Sequence, residues 1–506
     1  MENLHEQESQ KQSSKSFLLL IFFFSLTPAQ AQQFSFWTSN WYVVFDNPSQ
    51  VCELTYSMHP DLIYKPELNR YNGKIGDVEL YACGGNDGIR DIFFGGSSHM
   101  VIDCKPGSSL DHSTGKCKET AQKGKPLEPL LCSNPSSEVG NPINSANGNK
   151  FQHEHDLSVG VLSPILIDRF YNSFDGLWRH SYSSSLYFGS ESVVLIHDDG
   201  REAVFYMVNG SYKSDTDSGI LTELQQSGWR YTDPSNNVLF FSEDGRLVKT
   251  TASNGGEYNL AYAAAGFDRS VVISNTMGES IQFMETPLRQ LRFVAVNNLR
   301  IDYKYNMYNR LIEVVKTENS ASSSRKYYYE DERNTGWLTG ISDERGVRFA
   351  TWAYDGQGRS TMSQHAGGAS LIQINYNADG SSTVTNELGK KTVYRYKNIS
   401  GVKRISSIEG EPSANCPASN SVYTYNDRGQ VLTKTDAKGL VTTYDYNDRG
   451  LEVSRTEATG TALARTTTTE WDPDRFLPIK VIEPNRITVY SYDNQGRELT
   501  RQSTSR

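Results

Sequence analysis

The chain has 506 residues, of which 37% are hydrophobic and 22% charged, and a formal net charge of −9. That acidic balance argues against a partner presenting a phosphate backbone, so no nucleic acid is expected. With 29 tyrosines and 40 glycines, the composition is that of an all-β extracellular protein.

The first predicted element is a leader. A polar stretch containing Lys11 and Lys15 precedes ten residues, Phe17 to Leu26, dominated by large apolar side chains, and Thr27-Pro28-Ala29-Gln30-Ala31 follows. The order predicts a secretory signal peptide over residues 1–31, cleaved after Ala31. Glu2, Glu6 and Glu8 make its n-region less cationic than usual. Ten residues rising ~1.5 Å each cannot cross ~30 Å of hydrocarbon, so no transmembrane anchor is expected. The implied localisation is secreted or cell surface, periplasmic or extracellular.

Residues 32–138 form a cysteine-bearing N-terminal region, with Cys52, Cys83, Cys104, Cys117 and Cys132 clustered and Cys416 alone downstream. In an oxidising compartment such a cluster predicts disulfides, because no Cys-x-x-Cys pair or nearby histidine cluster offers tetrahedral metal geometry. Cys104 and Cys117 bracket a short interval with Gly107 and Gly115 as turn residues, and are the first candidate pair. Cys416 is then free or tied back to the cluster.

The Ser/Asn/Pro/Gly-rich stretch from Cys132 to Asn149 marks a boundary. Beyond it a β domain is expected over residues 139–240 and a repeat array over residues 241–506. Hairpin turns are predicted at His197–Gly200, Ser242–Gly245, Asn275–Gly278 and Asn386–Gly389. No stretch after residue 150 carries a capped 3.6-residue periodicity, so the remainder reads as strands. His153 and His155 share a strand face and could ligate a metal, but no third ligand is evident. Asp198-Asp199 and Asp472 with Asp474 read as turn residues, because no calcium loop is complete. No nucleophile motif and no phosphate-cradling loop is present. No enzyme activity, cofactor or metal is expected.

Residues 425–429 read YNDRG, and the same five letters return at 446–450. A short Asx residue followed by a closing glycine is what a type I turn with a left-handed final residue requires. Between the copies, Thr442, Tyr444 and Tyr446 alternate with Val441, Thr443 and Asp445, the period of a half-buried strand. Each copy is therefore a hairpin, and hairpins must stack to be stable. The motif recurs as Tyr305-Asn306, Tyr354-Asp355 with Gly358 and Arg359, Tyr376-Asn377 with Gly380, Tyr425-Asn426 with Gly429, Tyr446-Asn447 with Gly450, and Tyr492-Asp493 with Gly496 and Arg497. Spacings of 49, 22, 49, 21 and 46 residues leave room for degenerate copies at Tyr329, Tyr396 and Trp471. The tyrosines are expected to pack on one face, with their hydroxyls bonded inside the sheet.

These residues resemble the YD repeats of the RHS family. Upstream, Gly140–Asn144, Gly148–Lys150, Glu154, Asp156, Arg169–Ser173 and Gly176–Ser181 resemble the conserved domain that opens the repeat region of RHS proteins. The resemblance implies a spiralling antiparallel hairpin sheet forming part of a hollow shell. In many relatives the shell encloses a C-terminal toxin, released by self-cleavage at an aspartate in an Asp-Pro-x-Gly-type motif. Here Asp472-Pro473 lacks the glycine and lies inside the array, and neither that core motif nor a trailing domain precedes Arg506. The resemblance thus implies a secreted, non-catalytic scaffold, the shell portion of a toxin-delivery or intercellular-competition system without its toxin. Its implied partners are a continuation segment, toxin cargo or an immunity protein. An unpaired terminal strand is expected around residues 486–500. The alternative is a cell-surface carbohydrate-binding module, in which tyrosine-rich strands stack a surface glycan.

Overall fold

Side chains that alternate at every second position can bury only one face of an extended strand, and tight turns return each strand antiparallel to its predecessor. The computed structural model follows that rule along the chain. It describes residues 135–506 except 189–191, 226–227, 267, 287, 307 and 411–419; before these it describes residues 122–125, Cys52, Lys65 and strand segments between 32 and 119. The expected leader and Cys416 lie outside the described residues.

In the N-terminal region, Gln32–Thr38 pairs antiparallel with Asp91–Cys104, which also pairs with Val78–Asn86. Cys52 and Cys83, both fully buried, form a disulfide. The proposed Cys104–Cys117 pair concerns side chains outside the described residues.

Three antiparallel strands follow, Phe151–Val159, Ile165–Asn172 and Leu177–His180, and then four between Ser185 and Lys213. From Ile220–Leu224 to Glu498–Ser505, 26 strands among the described residues make one sheet in strict sequence order. Each strand is hydrogen-bonded to the one before it, so the sheet contains no crossover. A 3-10 turn at Ala366–Gly368 interrupts the run. Strand Arg486–Tyr492 is paired on both sides, with Pro478–Ile482 and with Glu498–Ser505. The expectation of an unpaired strand beginning at residue 486 is corrected accordingly, because the final turn at Asp493–Arg497 returns one more strand. Among the described residues no helix is long and apolar enough to cross a membrane.

The ribbon coils back on itself. Asn236, in an early turn of the long sheet, donates from Nδ2 to the Phe476 carbonyl at 3.0 Å and accepts the Phe476 amide at 2.9 Å, across 240 residues of sequence. One face of this coil carries a continuous apolar cluster from Ile143 to Val384, including Tyr171, Trp178, Phe283, Trp337 and Trp352. The segment from Asn141 to Tyr182 lies across that face, and a second, smaller cluster gathers Ile405, Tyr423, Tyr425, Val431 and Tyr444.

Candidate functional site

The repeated turn is closed by its own Asx side chain. Asp355 Oδ1 accepts the amides of Gln357 at 2.9 Å and Arg359 at 3.1 Å, while Oδ2 takes Arg359 Nε at 2.7 Å. Asn306, Asn426, Asn447 and Asp493 accept the amides two and four residues on in the same way. Asp493 also holds Arg497. Asn377 departs from the pattern: it donates to the Ser381 hydroxyl, and Asp379 accepts the Ser381 amide instead. Gly358, Gly380, Gly429, Gly450 and Gly496 all have φ between 74° and 86°, and Asn309 takes that place in the first copy with φ 56°.

Two of these glycines separate conformational cost from crowding. A Cβ on Gly380 would meet nothing within 4 Å, whereas one on Gly358 would stand 2.7 Å from Trp337 Cζ2. Gly380→Ala is expected to cost about 1–2 kcal/mol for the left-handed backbone, and Gly358→Ala measurably more. Urea-unfolding midpoints of the two variants would check the order.

Each motif tyrosine sits at the end of its strand and ties that strand to the one before. Its hydroxyl donates to a backbone carbonyl near the start of the preceding strand: Tyr305 to Leu291 at 2.8 Å, Tyr354 to Leu338 at 2.8 Å and Tyr376 to Ser360 at 2.7 Å. The series continues with Tyr425 to Ile405, Tyr446 to Val431 at 2.9 Å and Tyr492 to Pro478 at 2.8 Å. In all six pairs the ladder stops short of the tie, its last paired residue three before the tyrosine: Asp302, Thr351, Gln373, Val422, Thr443 and Val489. There the strands part, and a carbonyl left without its ladder partner must find another donor. The hydroxyl supplies it. Of the degenerate copies, Trp471 meets the same demand, its Nε1 donating to Glu452 O at 2.8 Å, whereas Tyr396 shares a hydrogen bond with the Ser382 hydroxyl at 2.7 Å. Burial raises the phenol pKa values of Tyr305, Tyr354, Tyr376 and Tyr425, and pushes Tyr492 up to about 12.

Where the upstream segment crosses the sheet, charges are buried in pairs. Arg169 bonds Asp156 through Nε at 2.6 Å and Nη2 at 2.9 Å, with both side chains at most 7% exposed. Tyr303 donates to the same carboxylate at 2.7 Å, Arg169 Nη2 donates to Tyr327 at 2.9 Å, and the guanidinium lies 4.8 Å from the Trp178 ring. Tyr171 donates to Gly336 O at 2.6 Å and accepts the Leu338 amide at 2.8 Å, clamping the loop ahead of Gly340–Ser342. Trp352 Nε1 donates to Asn141 O at 2.8 Å. Asp156 and Arg169 were singled out in the sequence, but their tyrosine partners were not. The signal was there: Tyr303 and Tyr327 stand two residues before Tyr305 and Tyr329, on the same strand face.

His153 and His155 do share a face, and both turn to Asp168 on the neighbouring strand, at 3.5 and 2.7 Å. His153 also stacks on Phe170 with ring centroids 5.0 Å apart. Among the described residues no group of three or more His, Cys, Asp or Glu is arranged to hold a metal ion. Asp199 accepts the Arg201 amide at 2.9 Å within its turn, and Asp472 accepts the amides of Asp474 and Arg475 at 3.0 and 2.9 Å.

Two buried carboxyls give opposite pH dependences. Burial opposes the charge on Asp175, but Arg179 and Lys123 outweigh it and hold its pKa at about 2. Its contribution is present above the ordinary carboxylate pKa and is lost as pH falls toward 2. Burial pushes Glu138 up to about 7, with Lys150 only partly offsetting it. The stability linked to Glu138 is full below its unfolded value and is lost as pH rises through 7. Glu138→Gln should therefore flatten the decline between about pH 4.5 and 7 and leave the acid limb unchanged, as read from denaturant midpoints against pH.

Two family models match the chain: a domain of unknown function, DUF6531, over residues 140–205 and the RHS repeat over residues 425–462. No curated protein matches its sequence. Among solved structures, it is similar to TcdB2-TccC3 without its hypervariable C-terminal region at 11% identity and a TM-score of 0.38, covering 86% of this chain and 27% of that one. A TcdB2-TccC3-Cdc42 structure gives 12% identity and a TM-score of 0.37, covering 86% and 28%. A Tc holotoxin pore from Photorhabdus luminescens gives 10% and 0.33, covering 84% and 26%. The chain thus spans about a quarter of the length of the solved structures it matches. The chain carries a DUF6531 segment ahead of an RHS repeat, and the same turn returns along one continuous sheet.

Proposed function

We propose that this chain is a secreted, non-catalytic scaffold, the wall of a toxin-delivery or intercellular-competition system whose partner is a polypeptide cargo. The observation that carries this reading is the use of the motif tyrosines. All six engage backbone carbonyls of the adjacent strand. A glycan-binding face needs aromatic rings presented together to solvent, whereas Tyr354 and Tyr425 are at most 9% exposed. The turn side chains likewise close their own loops. A sheet whose recurring side chains hold neighbouring strands together is suited to being a wall.

The test is protease protection. The polypeptide encoded directly downstream of codon 506, or by the adjacent gene, is produced together with this chain and challenged with protease. Protection that disappears when the wall is unfolded is the expected result, together with a blank glycan array. Equal digestion with and without the chain, or strong retention of a glycan, would overturn the reading.

A further inference from the structure

Residues 122–125, Gln-Lys-Gly-Lys, follow the cysteine-bearing region in sequence and sit in a polar notch among the strands that run from Phe151 to Val208. Asn172 at a strand end, Asp175 in the turn after it, and Asp199 and Glu202 around the His197–Gly200 turn form the notch.

Each of the four residues is met there. Lys123, 8% exposed, bonds Glu202 Oε1 and places its ammonium 3.4 Å from Asp175 Oδ2. Burial opposes that charge, but Glu202 and Asp175 outweigh it and raise the Lys123 pKa. Gly124 donates its amide to Asn172 Oδ1 at 2.8 Å, and Lys125 donates its amide to Asp199 Oδ2 at 2.9 Å. The Gln122 carbonyl accepts from Asn147 Nδ2 at 3.2 Å, and the Lys125 ammonium lies 5.7 Å from the Phe170 ring centroid. The middle position admits only glycine. Gly124 has φ 82°, and a Cβ there would stand 2.6 Å from Asp199 Oδ2.

The receiving atoms are held by the strands themselves. Asn172 Nδ2 donates to Asp199 O at 2.8 Å, and Arg179 Nη1 donates to Asp175 Oδ2 at 2.9 Å. A connecting segment ordinarily runs over the surface with its polar groups in water. Here two consecutive amides are read by side chains and a lysine is buried between two carboxylates, in a frame set beforehand, which is how a peptide is recognised with little ordering cost. We propose that the notch is a peptide-binding site for the Lys-Gly-Lys strap of this chain, and that this contact holds the cysteine-bearing N-terminal region to the strands even when the chain between them is cut. The notch lies apart from the motif tyrosines, so this inference does not rest on the scaffold reading.

A protease site inserted between Ser133 and Asn134, in a Cys416→Ser chain, tests it. All five clustered cysteines then travel with the N-terminal fragment, and no disulfide can join the two pieces. After cutting, the fragments should co-elute in size-exclusion chromatography at about 10 μM. Lys123→Gln should free at least about tenfold more of the N-terminal fragment, because it breaks a buried ion pair. Free peptide with the sequence of residues 120–126, at about 1 mM, should displace the unaltered fragment, and the same peptide carrying Gly124→Ala should not. Fragments that separate at once on cutting, that stay together with Lys123→Gln or against the free peptide, or that are displaced equally by the Gly124→Ala peptide would overturn the proposal. The peptide comparison is made with the strap unaltered, so it decides the matter even if Lys123→Gln fails to fold.

Discussion

Replacing Arg169 by alanine is expected to remove about 3–5 kcal/mol of local stability, the usual loss when one partner of a buried ion pair is deleted. Arg169→Ala strands the Asp156 carboxylate in a site where its side chain is 7% exposed, with the Tyr303 hydroxyl alone among the described side chains still donating to it. It also leaves Tyr327 without its guanidinium donor and takes the cation off the Trp178 ring. A chain built as a long repeat array need not unfold in one step, so a single melting temperature is a poor readout. Hydrogen exchange is better: protection should fall in Phe151–Val159, Leu299–Tyr305 and Ala321–Tyr328 and hold in the strands beyond Val441. The double variant Asp156→Leu with Arg169→Met removes both charges, and should be less damaged than either single change. If the double loses as much as the sum of the singles, the pair is not the joint that holds the upstream segment to the sheet.

What the sequence made legible was local. A turn needs an Asx side chain within reach of amides two and four residues on, and a residue tolerant of positive φ; both requirements lie inside a five-letter window such as YNDRG. Strand faces follow from the same short range, since Tyr444 and Tyr446 must share a side. The tie from each tyrosine to its carbonyl was only half legible. Alternation puts the ring on the inner face, but where the ladder parts depends on how two strands diverge after the turn. The joint at Arg169 was out of reach for a different reason. Its partners Tyr303 and Tyr327 are more than 130 residues away, and no spacing rule links an arginine on one strand to tyrosines on two others. The cysteines illustrate the same limit: no spacing rule singles out Cys52 with Cys83, which form a disulfide across a separation of 31 residues.

Tyr354 separates the two things a motif tyrosine does. Its ring stacks on Trp337 with centroids 5.2 Å apart and planes 22° from parallel, and its hydroxyl donates to Leu338 O. Tyr354→Phe keeps the ring and orphans the carbonyl, so a loss of about 1–3 kcal/mol is expected. Tyr354→Ala also deletes a buried aromatic, and losses of about 3–5 kcal/mol are usual for that. If the hydroxyl matters because the strands part and a carbonyl must be met, another ring with an N–H in reach should serve. Trp471 already does so in its own repeat, on Glu452. Tyr376→Trp, at a half-buried ring, should therefore retain more stability than Tyr376→Phe in urea titrations followed by exchange at Ser360–His365. Were tryptophan no better than phenylalanine there, the ring alone would account for the motif and the carbonyl tie would be incidental. Were it better, the first letter of the repeat would be explained by a single unmet acceptor at the end of each ladder, and the tolerance of tryptophan at position 471 would follow from the same cause.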